Sequence, residues 1–61
     1  MSLIYKCDES MGDFHWETKA YTSTGKKEVS IIQTWFDGTE TISKQTVVLL
    51  SDELIEIARK I

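Results

Sequence analysis

Hydrophobic and polar positions alternate along most of the chain, and three glycines divide the alternation into four segments. Gly12, Gly25 and Gly38 stand thirteen residues apart in turn-like contexts. Glycine adopts positive φ without steric cost and is favoured in hairpin loops. The segments between them are rich in Val, Ile and Thr, which favour strands. The pattern predicts four strands, at residues 2–9, 14–23, 27–36 and 41–50.

The last eleven residues change from a period of two to the helical period. One apolar stripe is formed by Leu54, Ile57, Ala58 and Ile61. Ser51 is a suitable N-cap for this stripe, and a helix this short needs packing against the sheet to be stable. The predicted fold is therefore one α+β domain, residues 1–61, with a four-stranded antiparallel β-meander followed by a C-terminal α-helix at residues 52–61.

The faces of the predicted strands indicate more apolar surface than one helix can cover. A two-residue loop at Thr24-Gly25 predicts that the second and third strands pair as follows: Ala20 with Val29, Thr18 with Ile31, Trp16 with Gln33 and Phe14 with Trp35. Adjacent strand residues point to opposite faces, so Ile31-Ile32, Trp35-Phe36 and 47–50 make the third and fourth strands apolar on both sides. The pattern does not decide which face the helix covers. The other face is expected to contact a second chain or a ligand.

Composition narrows the function classes. A chain of 61 residues buries only about 60% of its unfolded surface, and its single cysteine, Cys7, excludes an internal disulfide. Self-association into a homodimer is therefore the expected additional source of stability. One cysteine and one histidine, His15, also exclude a Cys/His zinc finger. No catalytic residues, metal ligands or cofactor site are predicted, so an enzyme is not expected. No apolar run approaches the ~20 residues that cross a membrane, and a cytoplasmic location is expected.

Several segments together resemble a known family. They are the basic hairpin Lys26-Lys27, the apolar strand and acidic turn from Ile31 to Gly38, the linker Ser43-Lys44, and the apolar strand running into a helix from Val47 to Leu54. These elements and their order are similar to the single-stranded-DNA-binding domain of transcriptional positive cofactor four and its small bacterial and phage relatives. The resemblance implies a homodimer that binds extended single strands with cations and aromatic side chains, in a transcription or replication accessory role.

The resemblance also implies positions for the binding residues. Trp35 matches the tryptophan of the family's third strand, Lys26 and Lys27 match its basic hairpin, and Lys44 matches its basic linker. The predicted face opposite Trp35 adds Phe36 and Tyr21 as stacking candidates, with Lys19 beside them. The predicted pairing places Trp35 with other aromatic residues, so a core role for it stays open.

The charge of the chain limits the expected affinity. The net charge is −3 and the isoelectric point about 4.9, which is the wrong sign for a strong nucleic-acid binder. Residues 14–46 carry four cations and four anions, so the excess acid lies toward the two ends. Weak binding to single-stranded DNA or RNA is expected. The alternative is a small acidic protein–protein interaction module, such as a phage-type inhibitor or accessory protein.

Overall fold

The computed structural model describes residues Met1–Ile61 and contains one sheet and one helix. The strands are β1 (Ser2–Met11), β2 (Phe14–Thr22), β3 (Glu28–Asp37) and β4 (Glu40–Leu50), and the helix is α1 (Ser51–Arg59). The strands pair antiparallel in the order β1-β2-β3-β4. The predicted fold class, a four-stranded meander followed by a C-terminal helix, is confirmed.

The register of β2 on β3 differs from the prediction by two residues. Ala20 pairs with Ile31, and Trp16 pairs with Trp35. The connecting loop is longer than predicted, because the Ser23 N–H donates to the Glu28 carbonyl (3.1 Å) and the following residues Thr24–Lys27 form the loop. Since side chains alternate with a period of two, a two-residue shift keeps every side chain on its predicted face.

The two faces of the sheet carry different side chains. The face that we call the tryptophan face consists of Ser2, Tyr5, Cys7, Glu9, Met11, Phe14, Trp16, Thr18, Ala20, Thr22, Val29, Ile31, Gln33, Trp35, Asp37, Glu40, Ser43, Gln45, Val47 and Leu49. The opposite face, the lysine face, consists of Leu3, Lys6, Asp8, Ser10, His15, Glu17, Lys19, Tyr21, Glu28, Ser30, Ile32, Thr34, Phe36, Thr41, Lys44, Thr46, Val48 and Leu50.

The chain buries very little of itself. Only Ala20, Val29 and Ser30 are buried, and the Cα atoms span 37 × 27 × 15 Å. A sheet on its own cannot enclose a core, because stable domains pack at least two layers around one. Large apolar side chains therefore remain exposed on both faces.

The helix differs from the prediction in two respects. Ser51 is its first residue rather than its N-cap, and the preceding Leu50 N–H donates to Glu53 Oε1 at 3.0 Å. No helix residue is buried, and Ile57 and Ile61, both on the predicted apolar stripe, are exposed. The expectation that the sheet packs against this stripe was wrong. Hydrogen bonds at its first turn instead hold the helix to the rest of the molecule.

Candidate nucleic-acid interface

Four of the seven residues predicted to bind nucleic acid lie on the lysine face. Strand β2 contributes Lys19 and Tyr21, β3 contributes Phe36, and β4 contributes Lys44. They share one face because their positions along neighbouring strands have the same parity in the observed register. Phe36 and Tyr21 are both half-buried, so part of each ring is open to a ligand.

The aromatic groups of the lysine face stand at its two ends. The rings of His15 and Phe36 are stacked, with centroids 4.5 Å apart and planes 8° apart. Tyr21 pairs with Ser30, six residues along β3 from Phe36, which corresponds to about 20 Å at ~3.3 Å per residue. Lysines occupy the rows between these ends. An extended strand can therefore meet aromatic rings and cations in turn along one surface.

An ion pair holds one of the predicted cations. Lys19 Nζ lies 3.0 Å from Glu17 Oε1 on the same face. The hydrogen bond from Lys19 lowers the pKa of the Glu17 carboxyl, and the same bond raises the pKa of Lys19. Lys19 is therefore a firmly charged ammonium whose charge is partly neutralised by its neighbour.

The loop between β2 and β3 carries the two predicted hairpin lysines at one end of the lysine face. Lys26 has a φ of 58°, a left-handed conformation that is uncommon outside glycine. The start of the helix holds this loop. Ser51 Oγ donates to the Lys26 carbonyl at 2.6 Å, and the Ser51 N–H donates to the Lys27 carbonyl at 2.8 Å. Asp52 lines the same shallow pocket as the two lysines, so their positive potential is reduced on the helix side.

The charge is distributed unevenly over the molecule. The lysine face and its loop carry five of the chain's six lysines, namely Lys6, Lys19, Lys26, Lys27 and Lys44. They carry three acids, Asp8, Glu17 and Glu28, so this surface has a net charge of +2 whereas the whole chain has −3. The remaining residues therefore carry −5. A polyanion approaching the lysine face meets a potential of the favourable sign.

Trp35 lies on the other face. Its indole is stacked on Trp16, with centroids 4.7 Å apart, and its Nε1 donates to Gln33 Oε1 at 3.0 Å. Gln33 Nε2 in turn donates to Thr18 Oγ1 at 3.4 Å. One strand lying on the lysine face cannot contact Trp35. The structure thus separates Trp35 from the aromatic and basic residues with which it was predicted to act.

Two residues of the lysine face were missed in the sequence. In the predicted register His15 lay opposite Thr34, so its stacking on Phe36 could not be recognised. It was expected to be an exposed strand histidine, and it is half-buried. Lys6 pairs with Lys19, which places it beside a predicted cation. Pairing β1 with β2 in the sequence could have placed Lys6 on this face, since only about two residues separate the two strands at Gly12.

The other side chains that could take part in chemistry lie apart from the lysine face. Cys7 is half-buried on the tryptophan face, where its thiol donates to Glu9 Oε1 at 3.8 Å. The neighbouring Cys7 thiol, and to a lesser extent the Glu9 carboxylate, raise the pKa of Tyr5. No three His, Cys, Asp or Glu side chains lie together in a way that could hold a metal ion. The one helix is too short to span a bilayer.

No protein-family model, curated protein or solved structure matches this chain. A function for it is therefore inferred from its own residues and their geometry.

Proposed function

We propose that this protein is a non-enzymatic module that binds single-stranded nucleic acid on its lysine face, in a transcription or replication accessory role. The observation that carries the proposal is the placement of five lysines, the His15–Phe36 stack and Tyr21 on one surface of net charge +2. Cations that neutralise phosphates and rings that stack on bases are the two requirements for binding single strands without sequence readout. The resemblance to the positive cofactor four family stays a prediction, and it agrees with this proposal at Lys26, Lys27 and Lys44 but not at Trp35.

The affinity is expected to be modest. Three acids lie among the five lysines, and one of them, Glu17, pairs directly with Lys19. Stacking contributes ~1–3 kcal/mol per base and depends little on salt or sequence. The module is therefore expected to bind DNA and RNA single strands through a few bases and a few phosphates, as a homodimer.

A titration of fluorescein-labelled oligothymidine, followed by fluorescence anisotropy at two salt concentrations, tests the proposal. If two phosphates are neutralised, affinity falls about sevenfold between ~50 and ~200 mM salt, from a slope of ~0.7 per contact. Tryptophan quenching is an unsuitable readout, because both tryptophans lie on the opposite face.

The matched variants are two double substitutions with the same change in net charge. Lys26→Glu with Lys27→Glu is expected to weaken binding tenfold or more. Arg59→Glu with Lys60→Glu, at the far end of α1, is expected to leave the affinity within twofold. Equal losses for both would show that only net charge matters, and no binding by the wild type at low salt would refute the proposal.

The alternative, a protein–protein interaction module, is favoured by one feature of the fold. The β1–β2 and β3–β4 turns lie at the same end of the sheet, where the Gly38 N–H donates to the Asp13 carbonyl at 3.0 Å. Asp13, Asp37 and Glu40 make this end acidic. It would suit a basic protein surface. Recovery of one stable protein partner that survives nuclease treatment, and is lost on Asp37→Lys, would favour this function over the first.

A further inference from the structure

The tryptophan face is uncharged from the row of Cys7, Thr18, Gln33 and Gln45 to the end of the sheet nearest the helix. Its charged residues are Glu9 on the edge strand β1 and, beside the β3–β4 turn, Asp37 and Glu40, whereas the lysine face carries six charged residues. Its polar groups near the centre are amides and hydroxyls, and those of Gln33, Thr18 and Trp35 are hydrogen-bonded to one another. Polar groups that are already paired in this way can be removed from water at little cost. This face is therefore suited to burial.

The chain also needs such burial. Three buried residues do not make a core, and a chain of this length without disulfides or metal requires another source of stability. Val47 and Phe14 on the tryptophan face are 52% and 48% exposed. Apolar surface left open to this extent in so small a chain indicates a face that is covered in the stable state.

We propose that a second copy of the chain covers the tryptophan face, so that two sheets pack face to face and the two lysine faces point outward. This deepens the homodimer of the proposed function by naming its interface. A charged partner would find nothing to complement on the uncharged rows of this face, whereas those rows meet their own copy without repulsion. The acidic turn end and the helix lie outside the contact.

The area of the face fits this partner. Four strands ~4.8 Å apart and about ten residues long give a flat outline on the order of 600 Å², which side chains enlarge. A standard interface takes ~800 Å² from each partner. Stacked sheets pack ~10 Å apart with aligned strands. The stripe of Thr18, Gln33 and Gln45 lies midway along the strands, so a two-fold axis through it brings the stripe against its own copy.

Two neighbouring valines provide a matched test. Val47 and Val48 are adjacent in β4 and 52% and 56% exposed, but Val47 lies on the tryptophan face and Val48 on the lysine face. By light scattering over a dilution series, the wild type is expected at twice 7.0 kDa. Val47→Glu is expected to raise the dimer dissociation constant at least hundredfold, because the two-fold axis buries two carboxylates. Val48→Glu is expected to change it less than threefold.

Two further variants keep the proposal open to refutation if Val47→Glu does not fold, as circular dichroism would show. Gln45→Lys places a charge at the centre of the same face, and Thr46→Lys is its control on the lysine face. A third variant, Ile57→Glu, tests whether the exposed apolar stripe of the helix forms the dimer interface instead. A monomeric wild type, equal effects in each matched pair, or a dimer dissociated by Ile57→Glu alone would each overturn the proposal.

The oligonucleotide titration separates this proposal from the proposed function. A dimer sensitive to Val47→Glu that binds no oligothymidine would support the interface and refute nucleic-acid binding. A monomer that still binds oligothymidine through Lys26 and Lys27 would support nucleic-acid binding and refute the interface. If a different protein covers this face, the wild type will stay monomeric and Val47→Glu will abolish its binding of that protein. This result would overturn the assignment of a second copy to the face.

Discussion

The two faces of the sheet are built by the same four strands, yet they have different chemistry. The tryptophan face has stacked indoles, three acids near one end and no cation, and the lysine face has three lysines, three acids and a histidine–phenylalanine stack. Neighbouring residues of one strand therefore belong to different environments. The whole chain has a net charge of −3, yet the lysine face and its loop together have a net charge of +2. The comparison shows that charge in a small sheet protein has to be counted by face.

The largest difference between neighbours is expected at Trp35 and Phe36. Phe36→Ala removes the stack with His15 and a surface for a base, so oligothymidine affinity should fall about tenfold, within the ~1–3 kcal/mol range of base stacking. Trp35→Ala removes the stack with Trp16 and leaves Gln33 Oε1 without its donor. It should weaken the dimer and leave the affinity per chain within twofold. Anisotropy and light scattering on both variants measure the two effects, and the opposite assignment would invert the roles of the faces.

A smaller contrast is expected at Lys44 and Gln45. Lys44→Glu replaces a phosphate-binding cation with an acid, and we expect an about fivefold loss of oligothymidine affinity and a shallower salt dependence. Gln45→Glu should spare the affinity and weaken self-association, since it charges the tryptophan face. If both substitutions reduced nucleic-acid binding equally, the separation of function between the faces would be wrong.

Removing one acid from each face should change the oligothymidine affinity by a still smaller factor. Glu17→Gln frees Lys19 from its 3.0 Å ion pair and raises the charge of the lysine face, so affinity should rise about two- to threefold at low salt. Glu9→Gln makes the same change in net charge on the tryptophan face and should leave the affinity unchanged. A gain for both variants would point to net charge alone.

The smallest expected effect is the pH dependence of the Glu17–Lys19 pair. The hydrogen bond lowers the pKa of Glu17 in the folded chain, so its contribution to stability is present above the unfolded pKa and lost as pH falls through the lowered value. The same bond raises the pKa of Lys19, and that contribution is lost only in strong alkali. Urea denaturation from about pH 5 to about pH 3 should show a small fall in midpoint that Glu17→Gln lacks. An identical fall in the variant would assign it to other carboxyls.

The strands and their faces were predictable because both follow from local rules. The three glycines have positive φ, as turns at those positions require, and the β-branched segments between them form the strands. The face of each side chain in β2 and β3 was correct despite the wrong register, since the error was an even number of residues. Lys19, Tyr21 and Phe36 could therefore be grouped on one face before the structure was known.

The register and the helix contacts were not predictable from local rules. The loop of residues 24–27 is held from a distance, because Ser51 hydrogen-bonds to the carbonyls of Lys26 and Lys27. No short-range pattern contains a bond between residues 25 apart. The two aromatic stacks depend on this register, so neither the His15–Phe36 nor the Trp16–Trp35 contact was foreseen. The helical stripe predicts apolar packing but does not state against which surface.

The meander, the helix and the surplus of apolar surface follow from the amino-acid sequence alone, because turn residues and side-chain alternation act over a few residues. The stacking of the rings, the lysines that share a face with them, and the exposure of the sheet beside the helix emerge only in the folded chain. These features depend on pairing between strands and on one hydroxyl bound to a distant loop, and such contacts exist only once the chain has folded.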